Sequence, residues 1–182
     1  MNSDIPGISW AIPEILSKSG IRYLSMSTDP IRSKRPEVPM PFYWSSPDGS
    51  KVLVWNTESK TNCYGEGYEL GFGESYREVL ISLPKYLKRV EEEGYTYDAI
   101  CLRMALDNVA PHIEVSKVVN EWNEKQVSPK IIISTNSEFF RYIEAKYKER
   151  IPSFQLGWPD WWADGNASAS CEVGLSRNIH RE

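Results

Sequence analysis

Apolar positions recur at helical spacing in three stretches of the chain. Tyr76, Val79, Leu80, Leu83, Leu87 and Val90 follow i, i+3, i+4 steps and predict one buried helix face. Pro84 falls inside that stretch and predicts a kink, or two consecutive helices. Val115, Val118, Val119 and Trp122 line one face of a second helix. Thr135 and Glu138 form a capping-box pattern that opens a third, with Phe139, Ile143 and Tyr147 turned inward. Two shorter helices are expected, over 9–19 (Ser9 as cap, Pro13 in the first turn, Gly20 as stop) and over the tail from 167 to about 181.

Between these, the pattern changes to short apolar runs. Ile21 to Met26 predicts a strand, and 98–105 and 130–134 predict two more, the former buried. Phe42-Tyr43-Trp44 and the run from Lys51 to Trp55 flank Pro47-Asp48-Gly49-Ser50, which is turn chemistry between β-prone segments and predicts a hairpin. Residues 27–40 read as loop, and 57–74, with four glycines and no period, as a long functional loop. Helices alternating with strands in this order predict an α/β fold with a mostly parallel sheet.

Length and charge narrow the classes. The 182 residues fit one domain over 1–182. A net charge of −4 argues against a nucleic-acid partner, which needs a basic patch. No apolar run approaches the roughly 20 residues of a membrane span. Cys63, Cys101 and Cys171 are scattered, make no CxxC pair, and read as reduced thiols that fix no compartment. The opening Met1-Asn2-Ser3-Asp4-Ile5-Pro6-Gly7 has no basic or apolar leader; it reads as a loop leaving one element for the next, the start expected of a piece of a longer protein.

The chemistry concentrates in carboxylates and aromatics. Trp158-Pro159-Asp160-Trp161-Trp162-Ala163-Asp164-Gly165 sets three tryptophans and two carboxylates within eight residues. Indole faces stack on sugar rings and carboxylates bind their hydroxyls, although the same run also fits an aromatic corner that only packs. In a parallel α/β fold, chemistry sits on loops leaving the carboxyl ends of strands. Asp4, Asp107 and Asp160 each occupy such a place, and a glycosidase needs two carboxyl groups. Each also fits a helix cap or turn. Tyr64, Tyr68 and Phe72 in the glycine-rich loop either face a sugar or pin the loop. No HxH, HExxH or cysteine cluster offers a metal site by spacing, and His112 and His180 stand far apart.

Taken in order, these pieces resemble the catalytic domain of glycoside hydrolase family 38, the α-mannosidase family, and specifically its divergent bacterial members. Asp4-Ile5-Pro6-Gly7 is similar to the family's Asp-Pro-Phe-Gly segment, Phe42 to Leu53 to its aromatic-pair, Pro-Asp-Gly, Val-Leu hairpin, Leu106-Asp107-Asn108-Val109-Ala110-Pro111 to the divergent Asp-Asn-x-x-Pro form, and Gly157 to Gly165 to Gly-x-Trp-x-Asp-Trp-Trp-Ala-Asp-Gly. The resemblance implies the C-terminal part of a seven-stranded, mostly parallel α/β barrel with an inserted β-hairpin. It implies a retaining, metal-assisted glycoside hydrolase acting on α-mannosides or related sugars. Asp4 is then nucleophile and zinc ligand, Asp107 acid/base, and Asp160 (or Asp164) takes the place of the histidine that completes the family's zinc site. Trp161, Trp162, Asp164 and Tyr64 would bind substrate. Two further zinc ligands are expected upstream of Asp4, in the remainder of the parent polypeptide, so turnover by these residues alone is expected to be weak. The alternative from a different class is a non-catalytic carbohydrate-binding or scaffold fragment. A carbohydrate deacetylase is a weaker option, because its paired histidines are missing.

Overall fold

The computed structural model describes residues 7–27, 36–56, 64–106, 108–158 and 169–180, and the backbone of 2–3. In chain order they form β1 (Asn2–Ser3), α1 (Ile12–Lys18), β2 (Tyr23–Ser27), β3 (Phe42–Ser45), β4 (Lys51–Asn56), α2 (Glu66–Glu69), α3 (Tyr76–Glu92), α4 (Glu114–Lys125), α5 (Asn136–Tyr147), a 3₁₀ turn (Lys148–Arg150), β5 (Ser153–Phe154) and α6 (Ser170–Ile179).

The local signals are realised where the chemistry is local. Gly20 ends α1 in the left-handed region (φ +79°). Its N–H bonds the Ser17 carbonyl at 2.9 Å and the Ile21 N–H bonds Leu16 at 2.9 Å, closing a Schellman motif. The hairpin forms with Ser45 opposite Lys51 and Phe42 opposite Val54. Its turn is organised by Asp48, whose carboxylate accepts from Ser46 Oγ (2.6 Å), Ser50 N (3.0 Å) and Ser50 Oγ (2.9 Å). Those bonds hold the carboxyl well below the usual carboxylate range. The capping box of α5 is complete in both directions, Glu138 N to Thr135 Oγ1 (3.3 Å) and Thr135 N to the Glu138 carboxylate (2.9 Å). The predicted break at Pro84 is not seen: α3 runs through it as one helix. Pro84 lies on the exposed face, where water can replace the lost backbone bond.

The barrel expectation is overturned. The described strands make one open, mixed five-stranded sheet in the order β1-β2-β4-β3-β5. β1/β2, β2/β4 and β3/β5 are parallel and β3/β4 antiparallel, so the hairpin is built into the sheet and is not an insertion. Two segments read as strands, 98–105 and 130–134, do not join the ladder. Their polar backbone groups are satisfied elsewhere. The Arg103 carbonyl accepts from Gly67 N (2.7 Å) and Ala105 N donates to the Tyr64 carbonyl (3.0 Å). The amide of Asn123 takes both backbone groups of Ile131, at 2.7 and 3.0 Å. Ile132 and Ile133, next along the chain, are exposed.

β4 separates two of the three cores. On one face Val52 and Val54 pack with Leu24, Met26, Phe42, Trp44 and Trp158, under α1. On the other, Leu53 and Trp55 pack with Tyr43, Phe140 and Ile143, which brings α5 onto the sheet. The third core joins α3 and α4 through Val79, Leu83, Val118, Val119 and Trp122. At the amino end of β2, Glu144 of α5 accepts from Arg22 (2.6 Å), Tyr23 Oη (2.8 Å) and Tyr43 Oη (3.1 Å), tying the helix to three points of the sheet layer. Among the described residues no helix is long and apolar enough to cross a membrane.

α5 also holds the 97–98 segment. Lys146 Nζ and Tyr142 Oη donate to Asp98, and Lys146 above all lowers the Asp98 pKa from 3.8 to about 2. A folded-state pKa below the ordinary value means a contribution present above about pH 4 and lost as the pH falls towards 2. Asp98→Asn should therefore flatten the acid limb of the thermal midpoint between pH 4 and 2. The difference from wild type should shrink at high salt, because the group is exposed. An unchanged acid limb in the variant would remove the Lys146–Asp98 pair from the stability of this layer.

Candidate functional site at the carboxyl ends of the parallel strands

β1, β2 and β4 run parallel and end together. Ser3 pairs with Ser27, and Met26 with Asn56. Polar side chains are buried at this end: Ser25, Ser27 and Asn56 on the strands, with Glu66 and Arg103 from the segments lying over them. Buried polar groups cost free energy unless they are partnered, so such a group at a sheet terminus needs a reason. The Asn56 amide group has no hydrogen-bond partner among the described residues, while its backbone N–H meets Met40 Sδ at 3.0 Å.

The Arg103 side chain is 6% exposed and donates to Ser25 Oγ on β2. Burial pulls its pKa down, and the carboxylate of Glu66, only 1% exposed, acts in the opposite direction. Glu66 opens α2, whose next residue is pressed against the same segment. A Cβ on Gly67 would lie 2.8 Å from the Met104 Cβ and 3.1 Å from the Arg103 carbonyl, so only glycine fits there. Burial also pushes the nearby Cys101 thiol up to about 11.

Of the residues singled out in the sequence, Asp4, Asp107, Asp160, Trp161, Trp162 and Asp164 lie outside the described residues. Tyr64 is half-buried, and its carbonyl receives the Ala105 N–H. Phe72 packs into the α3–α4 core, the pinning role, whereas Tyr68 sets its ring edge-on to His112 at 5.2 Å. The neighbours of the three aspartates are described. Ser3, before Asp4, pairs with Ser27. Arg103, four residues before Asp107, reaches Ser25 on the same strand, and Asn108, directly after Asp107, adopts the left-handed φ of 58° that asparagine tolerates better than most residues. Trp158, two before Asp160, donates its backbone N–H to the Ile8 carbonyl at 2.9 Å. Its indole is 4% exposed and packs edge-on to Trp44 at 5.8 Å, so this tryptophan belongs to the core and not to a sugar platform.

No group of three or more His, Cys, Asp or Glu that could hold a metal occurs among the described residues. A shallow depression lined by Arg22, Arg141, Glu144 and Arg150 opens at the amino end of β2, the wrong end of the sheet for parallel-strand chemistry.

Sequence reading passed over Arg103, Glu66, Ser25 and Asn56. One signal was present: Arg103 is the single charged residue in the apolar run Ala99-Ile100-Cys101-Leu102-Arg103-Met104-Ala105-Leu106. A charge in an otherwise buried run must be paired or functional.

Residues 1–156 match the family model described as glycosyl hydrolases family 38 N-terminal domain. The chain belongs to glycoside hydrolase family 38. No curated protein and no solved structure matches it. The family 38 domain matched is the N-terminal one, which corrects the expectation of a C-terminal part, and the tryptophan-rich run from 158 lies beyond the matched residues. Membership makes glycoside hydrolysis the general activity of this family 38 domain.

Removing the Trp158 side chain tests its assignment to the core. Trp158→Ala should cost about 3–5 kcal/mol of unfolding free energy, whereas Trp158→Phe should keep most of it. Denaturant unfolding with a wild-type midpoint in Trp158→Ala would overturn the assignment of this residue to the core.

Proposed function

We propose that the chain supplies the nucleophile and the acid/base of a retaining glycosidase acting on α-mannosides or related sugars. The observation that carries this reading is that the neighbours of Asp4 and of Asp107 are tied to the same end of β2, through Ser3–Ser27 and Arg103–Ser25. Membership in family 38 supports the reaction class.

In this reading an Asp4 carboxylate oxygen attacks the anomeric carbon as the glycosidic C–O bond breaks. Asp107 gives its proton to the departing oxygen. Water then attacks the glycosyl–Asp4 ester, Asp107 takes the water's proton, and Asp4 is released as carboxylate with net retention. Such a pair works with its carboxyl groups about 5–5.5 Å apart. Trp161, Trp162, Asp164 and Tyr64 are proposed to line the sugar.

The metal proposed is Zn²⁺, with Asp4 and Asp160 as its ligands from this chain and two more from outside it. Carboxylate oxygens suit zinc at a catalytic site. When bound, zinc supplies Lewis-acid contacts to sugar hydroxyls.

Turnover of an activated aryl mannoside and metal content, both measured on the natural gene product, test the assignment. Asp4→Ala should lose turnover and metal together, because one carboxylate has two jobs. Asp107→Ala should keep its metal. It should lose about 10²–10⁴-fold on substrates with poor leaving groups, and much less on activated ones. Near-wild-type turnover with full metal in Asp4→Ala would remove Asp4 from the mechanism. Sugar binding without any hydrolysis by the wild-type protein would favour a carbohydrate-binding role.

A further inference from the structure

The buried charge of Arg103 has no part in the chemistry just described, yet it lies on the segment that leads into Asp107. The backbone is fixed on the side that leads to Asp107, by Gly67 N at 2.7 Å on the Arg103 carbonyl and by the Ala105–Tyr64 bond at 3.0 Å two residues later. The guanidinium reaches across to Ser25, two residues before Ser27, the partner of Ser3. Glu66 provides the buried counter-charge from α2, which glycine at 67 lets sit against Met104. A planar fork with several donors can serve two such partners at once, which a lysine ammonium on its flexible stem does less well.

We propose that Arg103 is a positioning residue for the acid/base. By holding the 103–106 segment against β2, it sets the approach of the Asp107 carboxyl to the glycosidic oxygen. The inference rests on the reading of Asp107 as acid/base. Misplacement by about 1 Å costs on the order of 100-fold in such geometries, and it falls on the step that the misplaced group serves. Loss of Arg103 therefore acts on proton donation to the leaving group, and not on attack by the nucleophile.

The experiment compares wild type, Arg103→Lys and Ser25→Ala of the natural gene product on two mannosides, one with an alkyl leaving group and one with a dinitrophenol. Arg103→Lys keeps the charge opposite Glu66, and Ser25→Ala removes only the acceptor, so either variant can report if the other does not fold. For Arg103→Lys, kcat on the alkyl mannoside should fall about 10–100-fold while the dinitrophenyl mannoside changes less than about threefold, with KM little altered. Ser25→Ala should shift in the same direction by less. Equal losses on both substrates, tracking a lower thermal midpoint, would make Arg103 merely structural and overturn the inference while leaving Asp107 in its role. Wild-type rates on both substrates would overturn it as well. If Asp107→Ala itself shows no preference for the activated substrate, the reading of Asp107 fails, and the inference with it.

Discussion

Burial of β4 on both faces is the constraint from which the rest of the fold follows. Val52, Leu53, Val54 and Trp55 are all almost wholly enclosed. A strand whose alternate side chains enter different cores must be covered by helices on both sides, here α1 and α5. It must also have both edges paired, by β2 in parallel and β3 in the antiparallel direction. The mixed character of the sheet is thus a consequence of closing the Asp48 turn on one side of a strand whose other side accepts a crossover. The same pairing aligns the ends of β1, β2 and β4, so the polar residues at those ends meet in one place.

Off the ladder, backbone groups find partners one by one. The 103–105 stretch is paired by the 64–67 turn, and Ile131 is held by a single asparagine side chain. These arrangements satisfy the same obligation as a β-ladder, since every buried N–H and C=O needs a partner. They differ in leaving neighbouring apolar side chains uncovered, as Ile132 and Ile133 show.

The parts of the fold that were legible in the sequence depend on near neighbours. The Asp48 turn, the Thr135–Glu138 box, the stop at Gly20 and the buried faces of α3 and α4 all involve residues within one or two turns of each other. The inward face of α5 was read nearly right, with Phe140 buried beside Ile143 where Phe139 was expected. Apolar runs at 98–105 and 130–134 carried the composition of strands, but composition does not name a partner. The pairing of Arg103 with Gly67 is a long-range choice, and the capture of Ile131 by Asn123 is made by a side chain; no periodicity records either. At the site, motif order was enough to reach the family, and residues near two of the aspartates it selected, Asp4 and Asp107, meet at β2. Of the two readings open for the tryptophan-rich run, Trp158 takes the packing one, with its indole set edge-on to Trp44. Arg103 was overlooked because a lone charge in an apolar run draws less notice than a cluster.

The pairing of β3 with β5 joins residues more than a hundred positions apart, Tyr43 with Ser153 and Trp44 with Phe154. Everything from α2 to the 3₁₀ turn is therefore one excursion that leaves the sheet at Asn56 and returns at Ser153. The entropy of closing such a loop grows only logarithmically, about 0.6 kcal/mol for each doubling of its length. The stretch before α5 can lengthen or shorten at little cost in closure entropy, whereas α5 itself, packed on Leu53 and Trp55, is held to the sheet. Glu66 and Arg103 both ride on that stretch, while Ser25 and the Ser3–Ser27 pair do not. One half of the candidate site thus belongs to a segment free to diverge, and the other to a framework that is not.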